Sequence, residues 1–227
     1  MNFKHHLILA SSSPRRQFLV RESLLSGGQA GFTFELRKPD VEEDFPDTMA
    51  AEQVPLFLAS KKADYFKSDL KEDQVVLTAD TIVVINGQIL NKPADRKEAI
   101  AMLTLLSGKT HQVFTGVCIS SSQKRTLFRE ETGVTFRHLN KQEIEYYVDN
   151  FKPFDKAGSY GAQECLPHGM DPCSPDETAF LNKINKPELL ESTIESKAIA
   201  AIERIDGSYF NVMGLPIHRV YYELKSF

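Results

Sequence analysis

Strand-like apolar runs alternate along this chain with helical patterns that begin at a capping residue. Ser13 followed by Pro14 is typical of a helix N-terminus, and Asp95 with Glu98 three residues later is a helix-capping pattern. The apolar spacing predicts helices over residues 15–25, 55–66, 96–106, 141–148 and 216–224, and strands over residues 6–10, 32–36, 75–79, 82–85, 88–90, 111–120 and 126–139. Such an alternation indicates an α/β fold.

Three parts of the pattern are less regular. Asp80 and Thr81 interrupt an apolar run, which predicts that Asp80 lies near or between two strands, and Asn86-Gly87 then predicts a hairpin turn. Residues 167–185 are polar and contain three prolines, so we expect an irregular surface segment there. Residues 208–213 favour a strand.

The length and composition favour a globular protein. A chain of 227 residues, 41% of them hydrophobic, can bury a substantial core. No long Gly/Ser-rich or Pro-rich linker divides it, so we expect a single domain over residues 1–227. The chain has an odd number of cysteines, three, and they are irregularly spaced. This pattern is typical of a protein from a reducing compartment rather than of a disulfide framework. We therefore expect a cytoplasmic protein.

The charge and hydropathy patterns argue against two function classes. A net charge of −4 provides no basic surface of the kind that binds nucleic acid through its phosphates. The apolar run near the N-terminus is too short for a signal peptide, and no apolar run is long enough to span a bilayer. We expect neither nucleic acid nor a membrane as a partner, and a polyanionic substrate must be bound by a local cluster of cations.

Residues 9–16 (LASSSPRR) combine a strand end, three hydroxyl side chains, a helix start and two arginines. Backbone N–H groups at a helix start attract anions, and arginine can bind phosphate oxygens through two parallel hydrogen bonds. The segment therefore predicts an anion site. A serine cap followed by two solvated arginines is the simpler interpretation, because serine caps are so common.

Several other charged residues have the chemistry of a metal-dependent phosphate site. Asp80 could bind a cation or take a proton from water, and Glu42 or Glu43 could supply a second carboxylate for Mg²⁺. Lys62 and Lys92 could neutralise phosphate charge. Each alone has a simpler interpretation, because strand-end aspartates, acidic loops and lysines are ordinary surface features.

Five blocks of sequence, taken in order, resemble the Maf family of nucleotide pyrophosphatases. They are residues 9–16 (LASSSPRR), 78–93 (TADTIVVINGQILNKP), 106–117 (LSGKTHQVFTGV), 155–163 (DKAGSYGAQ) and 207–216 (GSYFNVMGLP). Ordered blocks of this length are very unlikely to coincide by chance. The resemblance implies a mixed α/β fold with an elongated central sheet flanked by helices, and two lobes with a central cleft, similar to inosine triphosphate pyrophosphatases.

The resemblance also implies roles for the charged residues. The SPRR block of the family binds the triphosphate. The corresponding residues here are Ser11, Arg15 and Arg16. The aspartate of the ADT block, Asp80 in this chain, is the proton acceptor. Activity in the family requires Mg²⁺ or Mn²⁺.

Three more residues fall on family positions. Lys62 and Lys92 are expected to contact phosphate, and Glu43 matches an acidic position associated with the metal. Glu42 beside it leaves that alignment open by one residue, and we rank Glu43 first. With Glu43 and Asp80 as metal ligands, the implied reaction is attack of water on the α-phosphorus, with Asp80 taking the proton and pyrophosphate leaving.

Base selectivity in the family tracks three positions, which are Arg15, Thr81 and Gln163 here. All three match the dTTP/UTP branch, and the amide of Gln163 can hydrogen-bond a pyrimidine edge. The resemblance thus implies hydrolysis of dTTP and UTP, or of modified pyrimidine nucleotides, to the monophosphate and pyrophosphate. The alternatives are a 7-methyl-GTP or CTP pyrophosphatase and a regulatory protein that inhibits septum formation. A homodimer is compatible with the resemblance.

This sequence departs from the family pattern in two places. Ala162 stands where a larger aliphatic residue usually precedes the glutamine. Residues 166–196, called the extra segment below, replace a short connection, and long loops of this kind are often functional or disordered. The family also leads us to expect a strand just before Gly207, although residues 188–205 have a helical pattern.

Overall fold

The computed structural model of the protein describes residues 5–25, 34–190 and 198–227. Within these residues it contains a seven-stranded sheet. The strands are β1 (His6–Leu9), β2 (Phe34–Leu36), β3 (Gln74–Ile85), β4 (Gln88–Leu90), β5 (Thr110–Ser120), β6 (Arg125–Phe136) and β7 (Ile202–Asp206). β7 confirms the strand expected before Gly207. Residues 32 and 33 of the predicted second strand, and residues 191–196 of the extra segment, lie outside the described residues.

The strand order is β2-β1-β3-β5-β6-β7, with β4 paired to β3. β1 runs parallel to β2 and β3, whereas β3, β5, β6 and β7 follow one another in antiparallel pairs and β4 is antiparallel to β3. The sheet is therefore mixed, and with its flanking helices it confirms the predicted α/β class.

Three of the helices begin where the capping patterns predict, namely α1, α3 and α4 in the numbering that follows. The helices are α1 (Pro14–Val20), which continues into a π-helical turn at Arg21–Leu25, α2 (Val54–Asp64), α3 (Arg96–Leu106), α4 (Lys141–Phe151), α5 (Ala162–Cys165), α6 (Pro175–Lys183), α7 (Tyr209–Val212) and α8 (Ile217–Leu224). The side chains of Ser13, Asp95 and Asn140 cap α1, α3 and α4, and Glu143 completes a capping box on α4.

The two faces of the sheet are covered by different helices. The side chains of Val75, Leu77 and Ala79 belong to the large core, which also contains residues of α3, α4 and α8. Val76 and Ile82 point the other way and lie in two smaller clusters built around α2. Asp80 has the same parity in β3 as Val76 and Ile82, so its side chain lies on the α2 face.

Helix α2 approaches the sheet unusually closely. A Cβ atom on Gly116 of β5 would lie 2.3 Å from backbone atoms of Pro55 and Leu56. The hydroxyl of Thr78 also donates to the carbonyl oxygen of Ala59 at 2.6 Å. Because Lys62 is three residues beyond Ala59, it lies on the same side of α2, over β3.

Three sequence predictions are wrong. Asp80 and Thr81 do not separate two strands, because β3 runs unbroken from Gln74 to Ile85 and both residues pair with β5. Residues 208–213 are not a strand: Ser208 caps a short helix, α7, by accepting a hydrogen bond from the N–H of Asn211. Residues 167–185 are not an irregular surface segment, since they contain α6, whose Phe180 is fully buried.

The described parts of the chain contain no helix with the length and apolar character needed to span a bilayer.

Candidate active site

A cleft of about 720 Å³ lies beside β3. β1 ends its pairing with β3 at Leu9, opposite Leu77, and β4 begins its pairing at Leu90, opposite Val83. Residues 79–83 of β3 line the cleft across this gap. Since one edge of β3 meets no other described strand there, side chains from both faces of the sheet contribute to one site.

All of the site residues predicted from the sequence line this cleft. They are Ser11, Arg15, Arg16, Glu43, Lys62, Asp80, Thr81, Lys92 and Gln163. They come from six separate parts of the chain and meet only in the folded protein. Glu43 lines the cleft and Glu42 does not.

Asp80 is a buried carboxylate in contact with a cation. Oδ1 of Asp80 accepts a hydrogen bond from Nζ of Lys62 at 2.6 Å, and the Asp80 side chain is 11% exposed. Burial raises the pKa of Asp80, and the charges of Lys62 and Arg16 oppose this shift. An aspartate with a raised pKa is better suited to accept a proton than an ordinary surface aspartate.

Glu43 contacts the same ammonium from the loop that precedes α2. Its Oε1 lies 2.6 Å from Nζ of Lys62. Burial would raise the pKa of Glu43, but hydrogen bonding and charge from Lys62, with the charges of Lys92 and Arg16, lower it overall. The carboxylate of Glu43 is therefore ionised near neutral pH and close to that of Asp80.

Two adjacent carboxylates fit the requirements of a divalent cation such as Mg²⁺. This ion commonly takes one or two carboxylates from the protein and completes its coordination with water and substrate phosphates. Among the described residues, no group of three or more His, Cys, Asp or Glu side chains is placed to hold a metal ion. Glu43 and Asp80 thus suit a cation that binds together with a phosphate substrate.

Arg16 links three walls of the cleft. Its Nε donates to the carbonyl oxygen of Gly214 at 2.7 Å, and Nη2 donates to the hydroxyl of Thr81 at 2.9 Å. The Thr81 hydroxyl lies 2.9 Å from that of Thr115 on the neighbouring strand. Burial lowers the pKa of Arg16 and the charge of Asp80 opposes this, but a guanidinium stays protonated in proteins. Arg16 is therefore a cation with a fixed orientation.

Arg15 lines the cleft and pairs with an acid from a distant part of the chain. Its Nη1 donates to Oδ2 of Asp155 at 3.2 Å, and Asp155 also pairs with Lys156 at 3.0 Å. Ser11, at the end of β1, accepts a hydrogen bond from the N–H of Ser13 at 3.2 Å. Ser11, Arg15 and Asp155 all line the cleft.

Gln163 lines the cleft from the start of α5. Only 5% of the residue is exposed. Its side-chain amide makes no hydrogen bond to any of the described residues. Because Gln163 lines the cleft, the donor and acceptor of this amide are available for a ligand.

The structure adds residues that the sequence did not single out. Lys156 and Asp155 line the cleft, and Lys156 also pairs with Glu164 at 3.4 Å. The carbonyl of Gly214 orients Arg16. Lys156 and Gly214 lie inside the fourth and fifth sequence blocks, which was the available signal; a backbone carbonyl has no signal of its own in a sequence.

Known proteins resemble this chain over nearly its whole length. A protein of Porphyromonas gingivalis named dTTP/UTP pyrophosphatase is 41% identical over 226 residues, which are 99% of this chain and 95% of the relative. Proteins of the same name from Phocaeicola vulgatus and Christiangramia forsetii are 40% and 38% identical, covering 98% and 97% of this chain and 96% and 93% of the relatives.

The profile of the family described as Maf-like protein matches residues 6–170. This range contains every cleft-lining residue named above except Gly214. The sequence blocks, the mixed sheet, the assembled cleft and the full-length relatives agree, and the chain belongs to the Maf-like protein family.

Proposed function

We propose that this protein is a nucleoside triphosphate pyrophosphatase that hydrolyses dTTP and UTP to the nucleoside monophosphate and pyrophosphate. The observation that carries this proposal is the composition of one cleft. It combines a buried carboxylate with a raised pKa, Asp80, with a set of cations around it. It also contains the unpartnered amide of Gln163. The names of the relatives from three genera support the same activity.

The cations in the cleft match the charge of a triphosphate. Arg16 is held by Gly214 and Thr81, so its guanidinium is oriented before the substrate binds. Arg15, Lys62 and Lys92 line the same cleft. Cations with fixed positions stabilise the charge that builds up on phosphate oxygens in the transition state, without reorganisation during the reaction.

Asp80 acts as the general base in the proposed reaction. Its carboxylate takes a proton from water as the water oxygen attacks the α-phosphorus, and the bond from the α-phosphorus to the bridging oxygen breaks. Pyrophosphate leaves with the electrons of that bond. Lys62 keeps the carboxylate of Asp80 oriented through its 2.6 Å hydrogen bond. No covalent intermediate with the protein is needed.

Glu43 and Asp80 would hold the divalent cation. A Mg²⁺ or Mn²⁺ ion supplies charge neutralisation at the triphosphate oxygens when it is bound. The two carboxylates share one ammonium, that of Lys62, at 2.6 Å from each. Lys62 thus limits the repulsion between the carboxylates that would coordinate the ion.

Gln163 would select the base. An amide offers one acceptor and a donor group, which is the pattern needed to pair with the carbonyl and N–H groups of uracil or thymine.

We also propose that the protein acts on free nucleotides in the cytoplasm. We further propose that it forms a homodimer, and light scattering would test this oligomeric state.

The test measures pyrophosphate release from dTTP, UTP, CTP, GTP and 7-methyl-GTP, with Mg²⁺ and with a chelator. We expect turnover of dTTP and UTP that requires the cation and is lost in Asp80→Asn. Activity on 7-methyl-GTP or CTP alone would keep the reaction but overturn the assignment of the base site. Absence of activity on all five would favour the regulatory alternative.

A further inference from the structure

Helix α6, in the extra segment, carries a buried carboxylate that the proposed reaction does not use. Glu177 is 0% exposed. Its Oε1 accepts hydrogen bonds from the hydroxyl of Ser208 at 2.5 Å and the N–H of Phe210 at 2.9 Å. Its Oε2 accepts from the N–H groups of Ser174 at 2.9 Å and Tyr209 at 3.0 Å. All four hydrogen-bond partners are donors, and Nδ1 of His218 lies 3.9 Å from Oε1, so the surroundings suit a carboxylate and not an amide.

Three of these donors belong to the short segment that carries α7. A four-residue helix has little stability of its own, because a helix needs several turns before propagation outweighs the cost of nucleation. Ser208 and Asn211 close the turn, and Asn211 also donates to the carbonyl of Val113 at 3.0 Å and to Thr132 at 2.9 Å. Glu177 therefore fixes the start of a segment whose conformation depends on tertiary contacts.

The other end of this segment forms a wall of the cleft. The carbonyl oxygen of Gly214 accepts the 2.7 Å hydrogen bond from Arg16. The carbonyl of Asn211 accepts from Thr115 at 3.2 Å, and the Thr115 hydroxyl lies 2.9 Å from that of Thr81. Residues 208–214 therefore connect Glu177 at one end with Arg16 and Thr81 at the other.

Packing holds Glu177 in place. Phe180 of α6 is fully buried and its ring lies 5.3 Å from that of Tyr221 on α8. Lys183 lies over the ring of Tyr222 at 4.7 Å. The extra segment is thus anchored to the body of the protein, and its carboxylate is directed inward.

We propose that the extra segment serves the active site, with Glu177 as a positioning residue that fixes residues 208–214 and thereby the Gly214 carbonyl that orients Arg16. This inference rests on the proposed function, in which Arg16 binds phosphate. The side chain of Glu177 acts through the backbone of residues 209 and 210 and does not itself line the cleft.

The experiment is a double-mutant cycle of Glu177→Gln with Arg16→Lys, measured as kcat/KM for UTP with Mg²⁺. The substitution replaces one carboxylate oxygen by an NH₂ group that faces N–H donors, so α7 should shift. We expect Glu177→Gln to lower kcat/KM by about tenfold or more, because small displacements of positioning groups are costly. In the Arg16→Lys background, which lacks the guanidinium Nε–H that donates to the Gly214 carbonyl, the same change should have an effect of about threefold or less.

Two further variants separate positioning from folding. Asp176→Asn changes an exposed acid beside Glu177 in the same helix, and it should leave kcat/KM unchanged. Glu177→Asp keeps the charge on a shorter side chain. It replaces Glu177→Gln in the double-mutant cycle if Glu177→Gln does not fold. We expect it to fold and to show a smaller loss with the same dependence on Arg16.

The outcomes distinguish this inference from the proposed function. If the wild-type protein turns over UTP and folded Glu177 variants keep its kcat/KM, or lose it equally in both Arg16 backgrounds, the positioning role is overturned and the proposed function stands. If the wild-type protein has no activity, the proposed function fails. The same cycle is then measured as affinity for inorganic pyrophosphate by calorimetry, and lack of coupling there overturns the positioning role as well.

Discussion

The ammonium of Lys62 donates to the carboxylate of Asp80 at 2.6 Å, and both side chains are almost completely withdrawn from solvent, at 10% and 11% exposure. Burial nevertheless raises the pKa of Asp80, so the loss of solvation outweighs the attraction of the cations. The folded protein therefore holds a carboxyl group at a position where burial opposes its charge, which is typical of catalytic sites.

Replacement of Asp80 by Asn should abolish activity without lowering stability. Because the pKa of Asp80 is higher in the folded than in the unfolded protein, the ionised form opposes folding at neutral pH. Lys62 keeps Glu43 as a partner in the variant. We expect pyrophosphate release to fall by about a thousandfold and the melting temperature at pH 7.5 to stay level or rise. A clear drop in melting temperature would contradict this account.

Lys62→Met should reduce activity strongly, since it removes the cation shared by Asp80 and Glu43. We expect a loss of about a hundredfold or more in kcat/KM for UTP. Lys61→Met is the matched control, because Lys61 precedes it in α2 and pairs with the exposed Asp44 outside the cleft. Equal losses of kcat/KM in the two variants would show that activity depends on the positive charge of α2 and not on the contact between Lys62 and Asp80.

Gln163→Leu should impair recognition of the base and spare recognition of the phosphates. The apolar side chain leaves the hydrogen-bonding edge of the pyrimidine unpaired, so kcat/KM for UTP should fall by about tenfold to a hundredfold. Inorganic tripolyphosphate has no base, and its inhibition constant should be the same for wild type and variant. A parallel loss of tripolyphosphate binding would mean that Gln163 acts on the phosphate end.

Local sequence chemistry predicts the helix starts well, because caps depend on neighbouring residues. Ser13, Asp95 and Asn140 each accept the hydrogen bond that their patterns predict. Ser174 with Glu177 is the same pattern and forms a capping box. The prolines and polar residues around it favour a loop and mask this pattern. The local signal for α6 was present in the chain.

Other features depend on contacts that are distant in sequence. Asp80 and Thr81 can lie inside a strand because their polar side chains accept hydrogen bonds from Lys62 and Arg16, respectively. The aromatic pair Tyr209-Phe210 has strand propensity, but the carboxylate of Glu177 binds both backbone N–H groups and favours a helical turn. The candidate site was predictable only through the resemblance, since each charged residue alone has an ordinary structural explanation.

Gly116→Ala should destabilise the protein by displacing α2. The added Cβ would lie 2.3 Å from the backbone of Pro55 and Leu56, and backbone cannot turn away as a side chain can. We expect a loss of about 1–3 kcal/mol in the free energy of unfolding, with reduced activity because Lys62 moves with α2. Gly133→Ala in β6 is the control, since its nearest contact would be an ordinary 3.6 Å. Similar urea midpoints for the two variants would refute the close approach.

His111 should make the protein less stable in mild acid. Burial lowers the pKa of His111 from 6.5 to about 3, while its Nε2 lies 2.8 Å from the Tyr160 hydroxyl. Below pH 6.5 the unfolded chain therefore binds a proton that the folded protein does not, and stability falls as the pH decreases toward 3. Between about pH 7.5 and pH 5 this one group should cost about 2 kcal/mol.

The neutral variant His111→Gln should lack this part of the pH dependence. Urea unfolding at about pH 7.5 and pH 5 would measure it, with His168→Gln as the control because His168 is exposed. We expect the control to lose as much stability as the wild type on acidification, and His111→Gln to lose about 2 kcal/mol less. Identical losses in all three proteins would mean that His111 is protonated in the folded state as readily as in the unfolded chain.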